Sequence, residues 1–326
     1  MQDKMNINYS RNYDCFTLTV NAILSRVIKP VPLLWNQAGM LAFEDSNSIL
    51  FTPYFLETKE NLKRIANIET ITESFNDFNT LSKRIMNTVR NGYTVMICVD
   101  VFNLPFNLYY QKKHSNHFIE VVGVNNEGFF ICDHFYKYTG LVPNEIIFKA
   151  MTSLIVEKFK TEYSFTYYNT SNLELKDNNS FLEEMLNVNT SIILGQEPFE
   201  LIKINNKKRI IGLEAFDNFI KYLSNEIFIE QRNFQQVYRN LFNFSNSRYH
   251  YANIIKILGG EQYKLQDIIE GYAEVSQLAK ITANIILKTS VTKDVESNQL
   301  PVLDKLNTIR SLEKRLVKNV RGELLV

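Results

Sequence analysis

The stretch HFIEVVGVNNEGFFICDHF, residues 117–135, limits the choice of fold more than any other part of the chain. Two runs rich in β-branched and aromatic residues, 117–124 and 128–135, flank the turn formers Asn125, Asn126, Glu127 and Gly128. With the apolar run YTVMICVDVF (93–102) before them, they predict three buried strands joined antiparallel. The hairpin also carries His117 at the start of one strand and Asp133 near the end of the next.

Register decides whether those two side chains meet. If Val122 pairs with Gly128 across a five-residue loop, His117 lies opposite Asp133. If Asn125 pairs with Phe129 across a three-residue loop, Asp133 faces Val121 instead. The pair is then roughly 13 Å apart, at about 3.3 Å per residue. A functional pair therefore requires the wider loop, a bulge or strong local twist.

Helical periodicity surrounds the strands. Phe16, Val20, Ile23, Leu24, Val27 and Ile28 fall on one face, Asp14 stands where an N-cap belongs, and Pro30 and Pro32 stop the pattern. Further helices are expected over 59–68 and 81–90, the latter capped by Thr80 or Asn79. Beyond about residue 165 the strand signals fade, and helices are expected near 181–186, 209–227, 229–258, 263–288 and 303–320. The expectation is an α+β chain: residues 1–168 as a domain with an antiparallel sheet, residues 169–326 as a helical domain. The polar stretch 169–179 marks the junction.

Charge excludes several classes. Lys and Arg number 36 against 35 Asp and Glu, so no basic face for nucleic acid is implied. No run of about 18 apolar residues predicts a membrane span. Three widely spaced cysteines, Cys15, Cys98 and Cys132, make neither a disulfide framework nor a zinc quartet. They imply a reducing, cytoplasmic setting in which one thiol is free to react.

Cys15 is placed for that role. The first turn of a helix offers unpaired N–H groups and partial positive charge, which favour a thiolate and a developing oxyanion. A thiol nucleophile needs a base, and the base needs an orienting group. His117 and Asp133 supply both. A metal site built from His114, His117, Asp133 and His134 is disfavoured, because residues 133 and 134 point to opposite faces of a strand. His250 reads as structural. Asp100 reads equally as a site residue or a turn cap. The run Lys207-Lys208-Arg209 is a solvated cluster or a dock for an acidic partner.

NYDCFTLTVNAIL (12–24), VDVFNLPF (99–106) and the hairpin together resemble papain-type thiol enzymes. Closer still is the butirosin-type acyltransferase family of cysteine-protease homologues in antibiotic biosynthesis, including the amide-forming enzyme of the closthioamide assembly line. The family pattern is a Cys at a helix start, Asp-x-x-x-Leu-Pro, a His followed six residues later by Gly, and an Asp or Asn sixteen after the His. Here these are Cys15, Asp100 with Leu104 and Pro105, His117 with Gly123, and Asp133. The resemblance implies a papain-like N-terminal domain that moves an acyl or peptidyl group from carrier-protein phosphopantetheine to a small amine or diamine. No bound cofactor or metal is implied, and a homo-oligomer is compatible. Papain-type proteases carry a Gln six residues before the Cys as oxyanion donor; here Tyr9 stands there, and Asn12, Asn8, Tyr13 or the Cys15 backbone N–H with another group are the alternatives. Trp35 is a candidate acyl-pocket residue or a core residue. The alternatives are a cysteine peptidase or amidase, and a non-catalytic carrier-binding protein.

Overall fold

The structure, a computed structural model, describes residues 6–44, 48–227, 233–259 and 263–324. In chain order the first elements are α1 (Cys15–Leu24), β1 (Leu41–Glu44), β2 (Ile49–Thr52), α2 (Thr58–Ala66), β3 (Glu69–Phe75) and α3 (Phe78–Arg90). Next come β4 (Val95–Asp100), β5 (Asn116–Val124), β6 (Gly128–Asp133), β7 (Tyr138–Pro143), α4 (Asn144–Val156) and β8 (Tyr163–Asn169). The remainder is α5 (Asn178–Ile193), β9 (Lys208–Ile211), α6 (Leu213–Tyr222), α7 (Phe234–Gly259), α8 (Tyr263–Thr292) and α9 (Glu296–Leu324). This is the expected α+β class, with antiparallel sheets first and a helical C-terminal region after them. Residues 229–232 of the helix expected over 229–258 lie outside the described residues.

Packing groups residues 1–31 with 62–174, and 32–61 with 175–326. Two successive domains, 1–168 and 169–326, were expected. The segment 32–61 carries strands whose short apolar runs bear no signal of the partner they choose.

In the first unit a six-stranded antiparallel sheet runs in the order β3-β8-β4-β5-β6-β7. Its central strands are covered on both faces, which is why they read as unbroken apolar runs rather than as alternation. Ile119 and Val121 of β5 join Leu81 and Ile85 of α3 and Ile147 and Ala150 of α4 in one core. The opposite side of β5 meets α1: Thr19 Oγ1 donates to the Phe118 carbonyl at 3.2 Å, and the rings of Phe16 and Phe118 lie 5.2 Å apart. Each fully buried aliphatic side chain contributes about 1.5–3 kcal/mol. α3 begins earlier than its apolar pattern, because Asp77 rather than Thr80 or Asn79 is the cap and accepts from Thr80 N–H at 2.8 Å.

The second unit holds a small sheet, β2-β1-β9, packed with helices. A helix was expected over 209–227, yet its first residues form β9 and pair with β1 from Leu41↔Ile211 to Glu44↔Lys208. Gly212 separates strand from helix at φ 76°, where a Cβ would stand 2.6 Å from the Ile193 carbonyl oxygen. Phe51 of β2 then meets the rings of Phe216, Phe219 and Phe244.

The backbone of residues 36–39 crosses this interior without secondary structure of its own, so side chains must satisfy it. Asn189 accepts from Ala38 N–H at 2.5 Å and donates to the Asn36 carbonyl at 2.9 Å. Ser247 donates to the Gln37 carbonyl at 2.7 Å, and Arg248 to the Gly39 carbonyl at 3.1 Å. Arg248 also donates to Glu313 at 2.6 Å, and neither side chain reaches solvent. Burial pushes the Glu313 carboxyl above its ordinary pKa, although Arg248 pulls the other way. Replacing Arg248 with Met alone strands that group, at a cost of about 3–5 kcal/mol. The double variant Arg248→Met/Glu313→Leu should recover most of it, read as the shift in urea midpoint.

Candidate active site

Asp14 and Cys15 open α1. The Asp14 carboxylate accepts from Thr17 N–H at 2.7 Å, which fixes the first turn and leaves Cys15 as its first helical residue. A residue in that position has no intrahelical acceptor for its N–H.

His117 and Asp133 meet, but by neither of the two expected registers. The turn is tight: Asn125 N–H donates to the Gly128 carbonyl at 3.0 Å, and the Asn125 side chain accepts from Glu127 and Gly128 N–H. A Cβ on Gly128 would stand 2.1 Å from the Val142 carbonyl oxygen, so only glycine lets β7 pass there. From this turn Val124 pairs with Phe129 and Gly123 with Phe130. Carried on flat, the ladder would set Asp133 opposite Glu120, on the face away from His117. A bulge at Val122 intervenes, and beyond it Val121 pairs with Ile131 and Glu120 with Cys132. Asp133 therefore follows in line with Ile119, which shares its face with His117. The two side chains close the remaining diagonal, and His117 Nε2 lies 2.8 Å from Asp133 Oδ2.

Both residues are buried, with His117 3% exposed and Asp133 fully enclosed. The other carboxylate oxygen, Oδ1, accepts from Phe135 N–H at 3.0 Å and Tyr136 N–H at 2.9 Å, so the group is held from both sides. Burial by itself would lower the His117 pKa. Hydrogen bonds from the ring to Asp133 and to the Cys15 sulfur, with the charge of both, outweigh burial and raise it to about 9. The thiol of Cys15 is thus close enough to the imidazole to act on its protonation. The rings of Phe135 and Tyr136 flank His117, at 5.9 and 4.9 Å between centroids. Cys15 is half-buried, whereas Cys98 and Cys132 are enclosed, and burial pushes their thiols up to about 11 and about 12. Among the three cysteines, Cys15 alone is not enclosed.

Asp100 is engaged elsewhere. Its carboxylate accepts from Phe102 N–H (3.1 Å), Ser115 N–H (3.0 Å), Ser153 Oγ (2.6 Å) and His114 Nδ1 (2.7 Å). Burial opposes ionisation there, and these donors keep its pKa below the usual value. It fastens the loop 101–115 to α4, which is the turn-cap reading. The Tyr9 ring, 43% exposed, lies under the Lys137 ammonium at 4.0 Å, and Asn12 N–H donates to Ser10 Oγ at 3.5 Å. Trp35 ends a short 3-10 turn, Val31–Trp35, and belongs with the second unit. Arg209 is spent within its own unit on the carbonyls of Leu201 and Ile202 and on Glu197. That weakens the Lys207-Lys208-Arg209 run as a dock.

A second buried network escaped sequence reasoning. Glu120, wholly enclosed, receives both Nη1 and Nη2 of Arg26, at 2.5 and 3.0 Å, and His134 Nε2 at 3.0 Å. His134 Nδ1 accepts from Asn8 N–H at 3.1 Å, so the ring proton resides on Nε2. The network ties the segment before Cys15 to the sheet. Its signal was present: Glu120 is a lone charge inside HFIEVV, and a buried charge demands a partner. Among the described residues no three His, Cys, Asp or Glu cluster as metal ligands, and no helix is long and apolar enough to cross a membrane.

A thiol at a helix start, an imidazole beside it and a carboxylate that orients the imidazole are the parts of a thiol nucleophile centre. Residues 38–134 match the family described as Butirosin biosynthesis protein H, N-terminal. The matched span holds Asp100, His117 and Asp133 and begins after Cys15, and its description links the family to antibiotic biosynthesis. No curated protein matches the chain.

Because Asp133 and Cys15 sustain the raised His117 pKa, removing either should bring it down toward the ordinary value near 6.5. The stabilisation from this raised pKa is complete below pH 6.5 and is lost as pH rises through about 9. In Asp133→Asn that window should narrow from its alkaline end, seen by titrating the His117 ring protons by NMR and by denaturation between pH 6 and 10.

Proposed function

We propose that the chain is a cysteine-dependent acyltransferase of natural-product biosynthesis. In this reading it takes an acyl or peptidyl group from the phosphopantetheine thioester of a carrier protein and forms an amide on a small amine or diamine. The observation that carries the reading is the Cys15–His117–Asp133 arrangement. It is supported by the similarity over 38–134 to a family named for butirosin biosynthesis. The resemblance to papain-type enzymes in the residues around Cys15 and His117 supports it as well, and a reducing, cytoplasmic setting suits a free thiol.

The steps follow from the groups present. His117 takes the Cys15 proton, and an imidazolium that persists to about pH 9 is well suited to hold it. The sulfur attacks the thioester carbonyl, and the oxyanion that forms is met by N–H groups at the start of α1. The carbon–sulfur bond to pantetheine breaks, and His117 protonates the departing thiol. Neutral His117, kept in one orientation by Asp133, then removes a proton from the attacking amine. The second tetrahedral intermediate expels Cys15, the amide leaves and the thiol is regenerated. Proton and electron pairs balance without metal or nucleotide. Tyr9, where papain-type proteases have Gln, fits a thioester substrate, whose thiol departs more readily than an amide nitrogen.

Intact-protein mass after incubation with an acyl-pantetheine thioester tests this. Wild type should gain one acyl group and Cys15→Ala none, and added diamine should discharge the adduct faster than water does. His117→Ala should slow acylation by about 10²–10⁴-fold. Rapid discharge by water would point to a hydrolase such as a peptidase or amidase. Absence of any adduct across several acyl chains would overturn the enzyme reading in favour of a carrier-binding protein.

A further inference from the structure

The connection from β4 to β5 ends two residues before His117 and is built with unusual firmness. Asn107, only 8% exposed, donates through its side chain to the carbonyls of Val101 (2.7 Å) and Leu104 (2.8 Å) and accepts from Tyr109 N–H (2.6 Å). Gln111 adopts a left-handed backbone at φ 55°, and its N–H donates to the Phe102 carbonyl at 3.0 Å. Behind the loop, the Phe102 and His114 rings stack at 4.1 Å between centroids. The Phe106 ring stacks at 3.9 Å on Tyr138, the residue paired across the ladder with Asp133.

This rigid frame presents apolar surface to solvent. Leu108 is 77% exposed, and Tyr109 and Tyr110 beside it are exposed too. Lys112 and Lys113 follow, both exposed, and residues 106–115 contain no Asp or Glu. Two acids meet the end of the loop at His114: Asp100, enclosed and 2.7 Å from its Nδ1, and Glu157, exposed and 3.9 Å from its Nε2. Burial first, and Tyr109 after it, push the Tyr136 hydroxyl up to about 12, and Tyr136 flanks His117. A loop that needed only to connect two strands would carry polar residues at its tip. Leucine and tyrosine held outward beside lysines are the makings of an interface with an aromatic and aliphatic centre and a basic rim.

We propose that the loop Phe106–Lys113 is the docking surface for an acidic carrier protein, which delivers its acyl-phosphopantetheine arm to Cys15 from this end of the sheet. The inference rests on the acyltransferase reading and adds to it the place where the donor binds. Charge complementarity selects the occupant: the only charges of the loop are those of Lys112 and Lys113, beside exposed Leu108, Tyr109 and Tyr110, so its partner is acidic with an apolar contact. The lysines steer encounter and Leu108 anchors the complex.

The test compares two donors of one acyl group, free acyl-pantetheine and an acidic acyl carrier protein charged with the same acyl-phosphopantetheine. The enzymes are full-length wild type, Leu108→Ser and Lys112→Glu/Lys113→Glu. These side chains are exposed, so the variants keep their fold, checked by circular dichroism. Acylation of Cys15 from the carrier should fall by at least about tenfold in each variant, with loading from free pantetheine unchanged. Raising the salt should slow the carrier reaction alone. Equal losses with both donors would mean that the loop shapes the active site, and would overturn the proposal. So would unchanged rates with both, or a wild type that loads no faster from the carrier than from free pantetheine. Failure of wild type to load from either donor would overturn the acyltransferase reading itself, and the docking surface with it.

Discussion

The hydrogen bond between His117 and Asp133 depends on one extra residue in β5. Strand geometry allots alternate residues to opposite faces, so a hairpin closed by a tight turn leaves Asp133 facing away from His117 unless the count changes by one. Val122 makes that change. Once both side chains share a face, the carboxylate orients the ring, which also interacts with the Cys15 sulfur. Without the bulge the same residues would form a well-packed hairpin with no chemistry.

Around this pair the unit spends several buried polar groups on position rather than on reaction. Asp100 gathers four donors and ties the β4–β5 connection to α4. Glu120, Arg26 and His134 tie the segment before Cys15 to the strand that carries His117. Such fully satisfied networks in a low-dielectric interior hold their members to one geometry. A nucleophile brought from the chain start and a base from a strand more than a hundred residues later need that kind of fastening. Two networks supply it, one reaching Ser115 just before His117 in the chain and the other Glu120 just after it.

The strands around the hairpin and α1 with its Asp14 cap were legible because they rest on local rules: an apolar run, a turn dipeptide, a capping side chain before a periodic face. The pairing of His117 with Asp133 was legible as a requirement, and a bulge was among the ways of meeting it, but the place of the bulge was not legible. Nothing in NHFIEVVGV marks Val122 as the residue that steps out of the ladder. β9 was read as helix because Arg209–Ile211 continues the apolar pattern of α6, and only pairing with β1 decides otherwise. Segment 32–61 was misplaced for the same reason, since its partners lie far along the chain. Asp100 was readable as a turn cap, but its link to Ser153 and His114 is tertiary and leaves no local trace.

The strap of residues 36–39 has a consequence for how the protein acquires its structure. Its backbone groups are satisfied by Asn189, Ser247 and Arg248, and β1 just after it waits for β9, so an early piece of chain has its partners only when much later residues have been made. Contacts of such sequence separation are slow to form, and the apolar edge of β1 stays unpaired during synthesis. No single cut of the chain yields two self-sufficient pieces, since a fragment ending near residue 168 keeps the strap and loses what holds it. The two units are therefore coupled in biogenesis by the path of the chain itself.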